Sequence, residues 1–196
     1  MKSRIFAILL ACLPLILSAQ TTLDRFLQKM DTTTFRSQFT ITIADNTTSP
    51  QSHAGRIAMR GKTFYISVFN AEAAYDGKTL SVYSVDSKEM TISTPTEEEL
   101  LDSNPILYAH ALKKACTISE KTGANQTQVI TLVPKDQSAG IQRFILTLRK
   151  DDLLPVSLEV KEGAQYTKLN FRNARFSADK PRLKMERKGA TIIDLR

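Results

Sequence analysis

From Phe35 the chain alternates. Phe35, Ser37, Phe39, Ile41 and Ile43 share one side of a period-two pattern, and Arg36, Gln38, Thr40 and Thr42 share the other. That is the pattern of a strand with one buried face. After a polar stretch read as a turn, Asp45 to His53, it returns over Arg56 to Arg60 with Ile57 and Met59 on one side. Gly61-Lys62 turns it into Thr63 to Phe69, which carries Phe64 and Ile66. The stretch "YDGKTLSVYSVDSKEMTI", residues 75 to 92, places Leu80 and Val82 before a turn near Asp86-Ser87-Lys88 and Met90 and Ile92 after it. Further strands are predicted at Val129 to Val133, Ile141 to Leu148, Pro155 to Val160 and Tyr166 to Phe176. Lys150-Asp151-Asp152 and Glu162-Gly163-Ala164 supply turns between them.

Two stretches change the period. In Thr22 to Met30, Leu23, Phe26, Leu27 and Met30 recur at spacings of three and four behind a threonine that can cap a helix. After Pro95, Thr96 and Glu99 have capping-box spacing, and the stretch to Lys114 reads as helical with a break at Asn104-Pro105. Ile106, Leu107, His110, Ala111 and Lys114 would follow one face of it. Glu97-Glu98-Glu99 complements a helix dipole in a first turn, with a contact to a basic partner as the alternative. The fold class is mainly β (α+β), an antiparallel curved sheet with helices inserted at two places. There is no repeat, low-complexity tract or linker, so residues 20–196 read as one domain. An open curved sheet with an apolar concave face needs a cover, and the two helical segments are available. They either complete a packed core or close over a space; the pattern alone leaves both open.

The N-terminus sets the compartment. Lys2 and Arg4 precede an apolar run from Ile5 to Leu17, and Leu17-Ser18-Ala19 ends it with small residues. This is the order of a Sec signal peptide over 1–19, too short for a membrane span. The rival is a lipoprotein signal ending at Cys12, which would leave the apolar stretch Leu13 to Leu17 behind the lipidated residue. Cleavage after Ala19 leaves 177 of the 196 residues and lowers the formal charge from +7 to +5 as Lys2 and Arg4 depart. A basic run of five or more is missing, which argues against nucleic acid as a partner. The stretch "KPRLKMERK", Lys180 to Lys188, is a solvated edge or a contact to phospholipid headgroups or a membrane partner. Only Cys116 survives cleavage, so no intrachain disulfide is possible.

Candidate chemistry is sparse. His53 sits in a Ser-containing turn and His110 in the helical insert, neither with a Cys, Asp or Glu at metal-ligand spacing. Cys116 and His110 are six apart, off a shared helical face, so a thiol nucleophile is not expected. No catalytic constellation, metal or cofactor is expected.

Several strings resemble the LolA family of periplasmic carriers of outer-membrane lipoproteins. "YDGKTLSVY" resembles the family's Asp-Gly-Lys-Thr-Leu hairpin and following aromatic, met by Asp76, Gly77, Lys78, Thr79, Leu80 and Tyr83. "TTTFRSQFT" resembles the first strand, "SNPILY" the mid-chain helix, and "VITLVPKDQSAGIQRFILTLRKDDLLPVSLEVKEGAQYTKLNF" the C-terminal hairpins. The resemblance covers all of 20–196, through order and spacing more than any one motif. It implies a monomeric, non-enzymatic periplasmic protein of a diderm bacterium: an unclosed antiparallel β-barrel with a helical lid over an apolar cavity for acyl chains. It also implies acylated lipoproteins as cargo, an inner-membrane ABC-type release complex that loads the carrier, and an outer-membrane lipoprotein acceptor.

Together, pattern and resemblance assign the acyl-chain cavity to two groups. Leu23, Phe26, Leu27, Met30, Ile106 and Leu107 come from the helices, and Phe35, Phe39, Ile41, Ile57, Met59, Phe64, Ile66, Leu80, Val82 and Ile92 from the strands. By resemblance, Phe64 stands at a cavity aromatic, Leu27 close to a lid leucine, and Arg60 where an arginine locks the lid to helix carbonyls. An exposed strand-end arginine is the plainer reading of Arg60, and Arg56 is its rival. The chain departs from the family in having Gly61-Lys62 where proline often follows that arginine, Ser81 where Trp often follows Thr-Leu, and no Trp anywhere. Two alternatives remain: a carrier of another lipid or apolar small molecule on the same fold, and a non-carrier β-rich cell-envelope interaction protein.

Overall fold

The structure, a computed structural model, describes residues 20–47, 49–136 and 140–196. The signal-peptide segment 1–19, with both readings of it, lies outside them.

The alternating stretches form one twelve-stranded sheet. Its strands are β1 (Thr34–Ala44), β2 (Gln51–Arg60), β3 (Thr63–Val68), β4 (Ala71–Tyr75), β5 (Leu80–Ser84), β6 (Glu89–Ser93), β7 (Cys116–Thr122), β8 (Thr127–Pro134), β9 (Ile141–Arg149), β10 (Pro155–Glu162), β11 (Gln165–Ser177) and β12 (Thr191–Asp194). They lie in the order β12-β6-β5-β4-β3-β2-β1-β11-β10-β9-β8-β7. Pairing is antiparallel except at one edge, where β12 joins β6 in parallel. β7 and β12 are the two free edges, so the sheet curves without closing. The long turn expected over Asp45 to His53 is shorter, because β2 begins at Gln51.

Among the described residues three helices lie off the sheet: α1 (Thr22–Thr32), α2 (Glu97–Ser103) and α3 (Tyr108–Leu112), with a 3-10 turn over Pro105–Leu107 between the last two. α1 is capped by Thr21, one residue before the threonine the pattern suggested; its hydroxyl accepts from the Asp24 N–H. α2 has the expected capping box between Thr96 and Glu99. Asn104 ends α2 and is fully buried. Its Oδ1 accepts from the Ile106 N–H at 3.1 Å and its amide reaches the Met59 sulfur at 3.7 Å. The helical break is thereby pinned to β2. It also shifts the apolar phase: Ala109 is buried, whereas Ala111 and Lys114 are exposed.

The core lies between the concave face and the helices. Register defines that face across the sheet: Phe35 opposes Met59, Met59 opposes Phe64, Phe64 opposes Tyr75, and Tyr75 opposes Leu80. On the other side Ile41 opposes Leu169, Leu169 opposes Leu158, Leu158 opposes Leu146, and Leu146 opposes Ile130. Directly opposed residues share a face, so these apolar side chains form one continuous lining.

Candidate functional site

α1 turns Leu23, Phe26, Leu27 and Met30 into this lining, and all four are buried. They pack in one cluster with Phe35, Phe39, Ile41, Ile57, Met59, Phe64, Ile66, Leu80, Ile106 and Leu107, with Val82 at its margin. Fifteen of the sixteen residues assigned to the cavity are therefore brought together. Ile92 is not. Tyr83 opposes Met90 and Ser81 opposes Ile92, so Met90 and Ile92 lie on the face opposite Leu80 and Val82. The turn between β5 and β6 sets a register one residue away from that assumed, which moves the whole set across the sheet. The sequence reading also passed over half the lining. Ile130, Leu132, Phe144, Leu146, Leu158 and Leu169 belong to the same cluster. Their own period-two alternation was the available signal.

The lining is occupied by its own side chains, with Phe26, Phe35, Phe64 and Phe144 fully buried in it. The cleft at the lid margin, between Leu100, Leu101, Leu107, His110, Ala111, Glu97 and Lys62, holds only about 40 Å³. Larger clefts, of about 390 and 450 Å³, lie on the opposite, outer face. Close packing extends to the backbone. A Cβ on Gly55 would come within 2.4 Å of the Phe39 ring and 2.8 Å of the Ser67 carbonyl oxygen.

Few polar contacts hold α1 in place. At its start, the Glu120 carboxylate accepts from the Thr22 and Leu23 N–H groups at 3.1 and 3.0 Å. These donors have no partner within a helix, and the charge suits the positive end of the dipole. At its end, the Gly61 N–H donates to the Met30 carbonyl at 2.8 Å, and Lys29 Nζ donates to the Asp152 carbonyl at 3.0 Å. Two contacts tie α1 to α3: Lys113 pairs with Asp24, which lowers the Asp24 pKa, and His110 Nε2 stands 3.5 Å from Asp31 Oδ1. His110 Nε2 is shielded from solvent and makes no hydrogen bond. Burial holds the His110 pKa below its ordinary value, Asp31 opposes that shift, and Lys62 and Lys113 reinforce it.

Neither arginine assigned to the lid lock faces the lid. Arg60 and Arg56 alternate with Met59 and Ile57 along β2 and so point outward. Arg60 Nη1 donates to the Ala178 carbonyl at 3.4 Å, and Arg56 lies against Tyr65. The helix-end carbonyl is bonded instead by the backbone of the next residue, Gly61. His53 stacks on Phe69 with ring centroids 4.6 Å apart. Cys116 is buried, which raises its thiol pKa and favours the unreactive protonated form. Among the described residues no group of three or more potential metal ligands occurs, and no helix is long and apolar enough to cross a membrane.

A solved structure of an uncharacterised conserved protein from Thermus thermophilus aligns with 88% of this chain and 96% of its own length at 12% identity, TM-score 0.58. A LolA superfamily protein from Nitrosomonas europaea aligns over 82% and 96% at 10% identity, TM-score 0.40. A putative outer membrane lipoprotein-sorting protein domain from Vibrio parahaemolyticus aligns over 79% and 90% at 11% identity, TM-score 0.39. Identities this low show likeness of fold alone. No curated protein matches the sequence significantly. The profile of the family described as outer membrane lipoprotein carrier protein LolA matches residues 22–164, most of the chain from α1 through β10. With its unclosed curved sheet and helical cover, this chain belongs to the LolA family of outer membrane lipoprotein carrier proteins.

Proposed function

We propose that this protein is a periplasmic carrier that takes up the acyl chains of lipoproteins between α1 and the concave face and moves them from inner to outer membrane. Family membership supports a carrier-type, lipid- or lipoprotein-binding role. The observation that carries the rest is the cover itself. α1 fills the lining with four apolar side chains yet is held at its rim by a handful of polar contacts. It is a plug that acyl chains can replace in kind.

The magnitudes suit reversible exchange. Withdrawing four buried side chains costs about 1.5–3 kcal/mol each. A fully buried acyl chain gains about 0.8 kcal/mol per methylene. One long chain therefore offsets the lid displacement without overwhelming it, which a carrier that must also unload requires. No bond is made or broken, so the role needs no catalytic group. The inner-membrane ABC-type release complex and the outer-membrane acceptor are the exchange partners this reading implies, with residues 1–19 as the export signal.

Mass spectrometry of molecules co-purifying with the exported protein tests the cargo. Acylated lipoproteins are expected; only free lipids or small apolar molecules would redirect the reading to another cargo, and an empty protein that also refuses an apolar fluorescent probe would overturn it. Asp24→Lys, which sets two cations against each other at the α1–α3 contact, should raise probe uptake.

A further inference from the structure

We propose that the outer face of the sheet carries a second site, distinct from the acyl-chain lining, that binds phosphate groups through Arg36, Arg56, Arg172 and Arg175. The site is made by a bulge. Arg36 opposes Arg175 and Gln38 opposes Arg172, so two residues of β11 face one of β1. Asn173 takes the left-handed backbone this needs, at φ 51°. The bulge brings two arginines three apart in sequence onto the same face, which regular alternation forbids. Ser37 satisfies the distorted backbone, its hydroxyl donating to the Arg172 carbonyl at 2.8 Å.

Two neighbouring clefts, of about 390 and 450 Å³, share Gln38 and Arg56. Around them, the fixed groups present donors. Asn173 donates to Gln38 Oε1 at 3.1 Å, which leaves the Gln38 NH₂ free to donate. Arg36 is oriented by Ser177 and by the Lys180 carbonyl. Arg56 lies 5.9 Å from the Tyr65 ring centre. Among the described residues no carboxylate pairs with any of the four guanidiniums. Two other cations of the same face do have carboxylate partners: Lys168 pairs with Glu159 at 2.8 Å, and Arg187 pairs with Glu72. Arg36 directly opposite Arg175 is a like-charge pair that costs stability. An anion relieves it, and planar forks match phosphate oxygens two at a time.

The phosphates belong either to anionic lipid headgroups or to a soluble phosphate, and vesicle and solution binding separate them. The purified protein is titrated with vesicles of equal parts phosphatidylcholine and phosphatidylglycerol, with phosphatidylcholine vesicles, and with inorganic pyrophosphate. Arg172→Gln/Arg175→Gln should weaken the anionic partner about thirtyfold, and Arg172→Lys/Arg175→Lys less. Lys114→Gln/Lys121→Gln, equal in charge but remote, should leave binding unchanged. Unaltered circular dichroism and apolar-probe uptake would establish that the fold and the acyl-chain lining are intact in each variant. Binding to anionic vesicles alone identifies lipid headgroups as the source; binding to pyrophosphate with the same arginine dependence identifies a soluble phosphate. Equal losses in the arginine and lysine variants, or polyglutamate held as tightly as phosphate, would overturn the site in favour of diffuse basic charge.

Discussion

Phe64 and Tyr65 are neighbours in one strand, and they inhabit different chemistries. Phe64 is fully buried in the lining, 6.0 Å from the Tyr75 ring centre. Tyr65 stands on the outer face against Arg56. The contrast repeats along β1 and β2, where Phe35, Phe39, Ile57 and Met59 line the interior and Arg36, Gln38, Arg56 and Arg60 the exterior. A sheet packed on both faces would be an inert slab. Here one face holds apolar surface under a helical cover and the other collects cation-rich clefts. The two faces are accordingly proposed to handle the two ends of a lipid's chemistry, acyl chain and phosphate.

Truncating the two neighbours is the strongest test of this difference. Phe64→Ala should cost about 3–5 kcal/mol by removing a large buried side chain, and Tyr65→Ala less than about 1 kcal/mol, both read from denaturant unfolding. The closed packing also changes what Phe64→Glu would do. The alternating pattern together with the family resemblance suggests loss of ligand binding with a native fold, but a carboxylate at a fully buried site should instead unfold the chain. A second expectation probes the lining at its tightest point. Gly55→Ala should destabilise by about 1–3 kcal/mol through overpacking against Phe39 and the Ser67 carbonyl. An equal-sized change on the outer face, Ala58→Ser, should fall within about 0.5 kcal/mol.

The difference between the faces was legible in the sequence wherever a strand was long and regular. β1 shows its lining without error, because five alternate positions agree. The α1 stripe was legible for the same reason at the helical period. What escaped was decided by register or by pairing partners. Ile92 changed face because the turn fixes the pairing of β5 with β6. β4, written Ala-Glu-Ala-Ala-Tyr, has little β propensity of its own and is a strand because β3 and β5 flank it. β7 and β12, polar or short, sit at the free edges, where half a partner's support is missing. Arg60 stands at the position the family resemblance pointed to, yet strand parity directs it away from the helices. The bulge at Asn173 leaves no mark in a pattern of hydrophobic and polar letters, so the arginine cluster was invisible.

Between the two faces lies the rim that keeps the cover down, and its contacts should show smaller effects. Glu120→Ala removes the acceptor for the Thr22 and Leu23 N–H groups. It should cost about 1 kcal/mol, as loss of an N-terminal cap does. Hydrogen exchange should quicken in α1 well before it does in β1 if the helix is the element released. Uniform acceleration across both would mean that cover and sheet open as one unit, and the contrast between a fixed lining and a removable lid would fail.

The smallest effect belongs to His110, where lid meets lid. Its folded-state pKa is lowered, chiefly by burial, so near pH 6.5 the unfolded chain binds more protons than the folded one. Stability should therefore rise with pH through the window between the depressed folded value and the ordinary one, and level off above it. Acid should favour an open lid: apolar-probe uptake should increase as pH falls below about 6.5. His110→Gln, neutral throughout, should abolish that dependence. Asp31→Asn acts in the opposite sense. It removes the one neighbouring charge that favours the imidazolium, leaves Lys62 and Lys113 unopposed, and should widen the window towards acid. If the His110 and Asp31 variants instead shift probe uptake alike, the α1–α3 contact acts as packing alone, and protonation has no part in holding the cover closed.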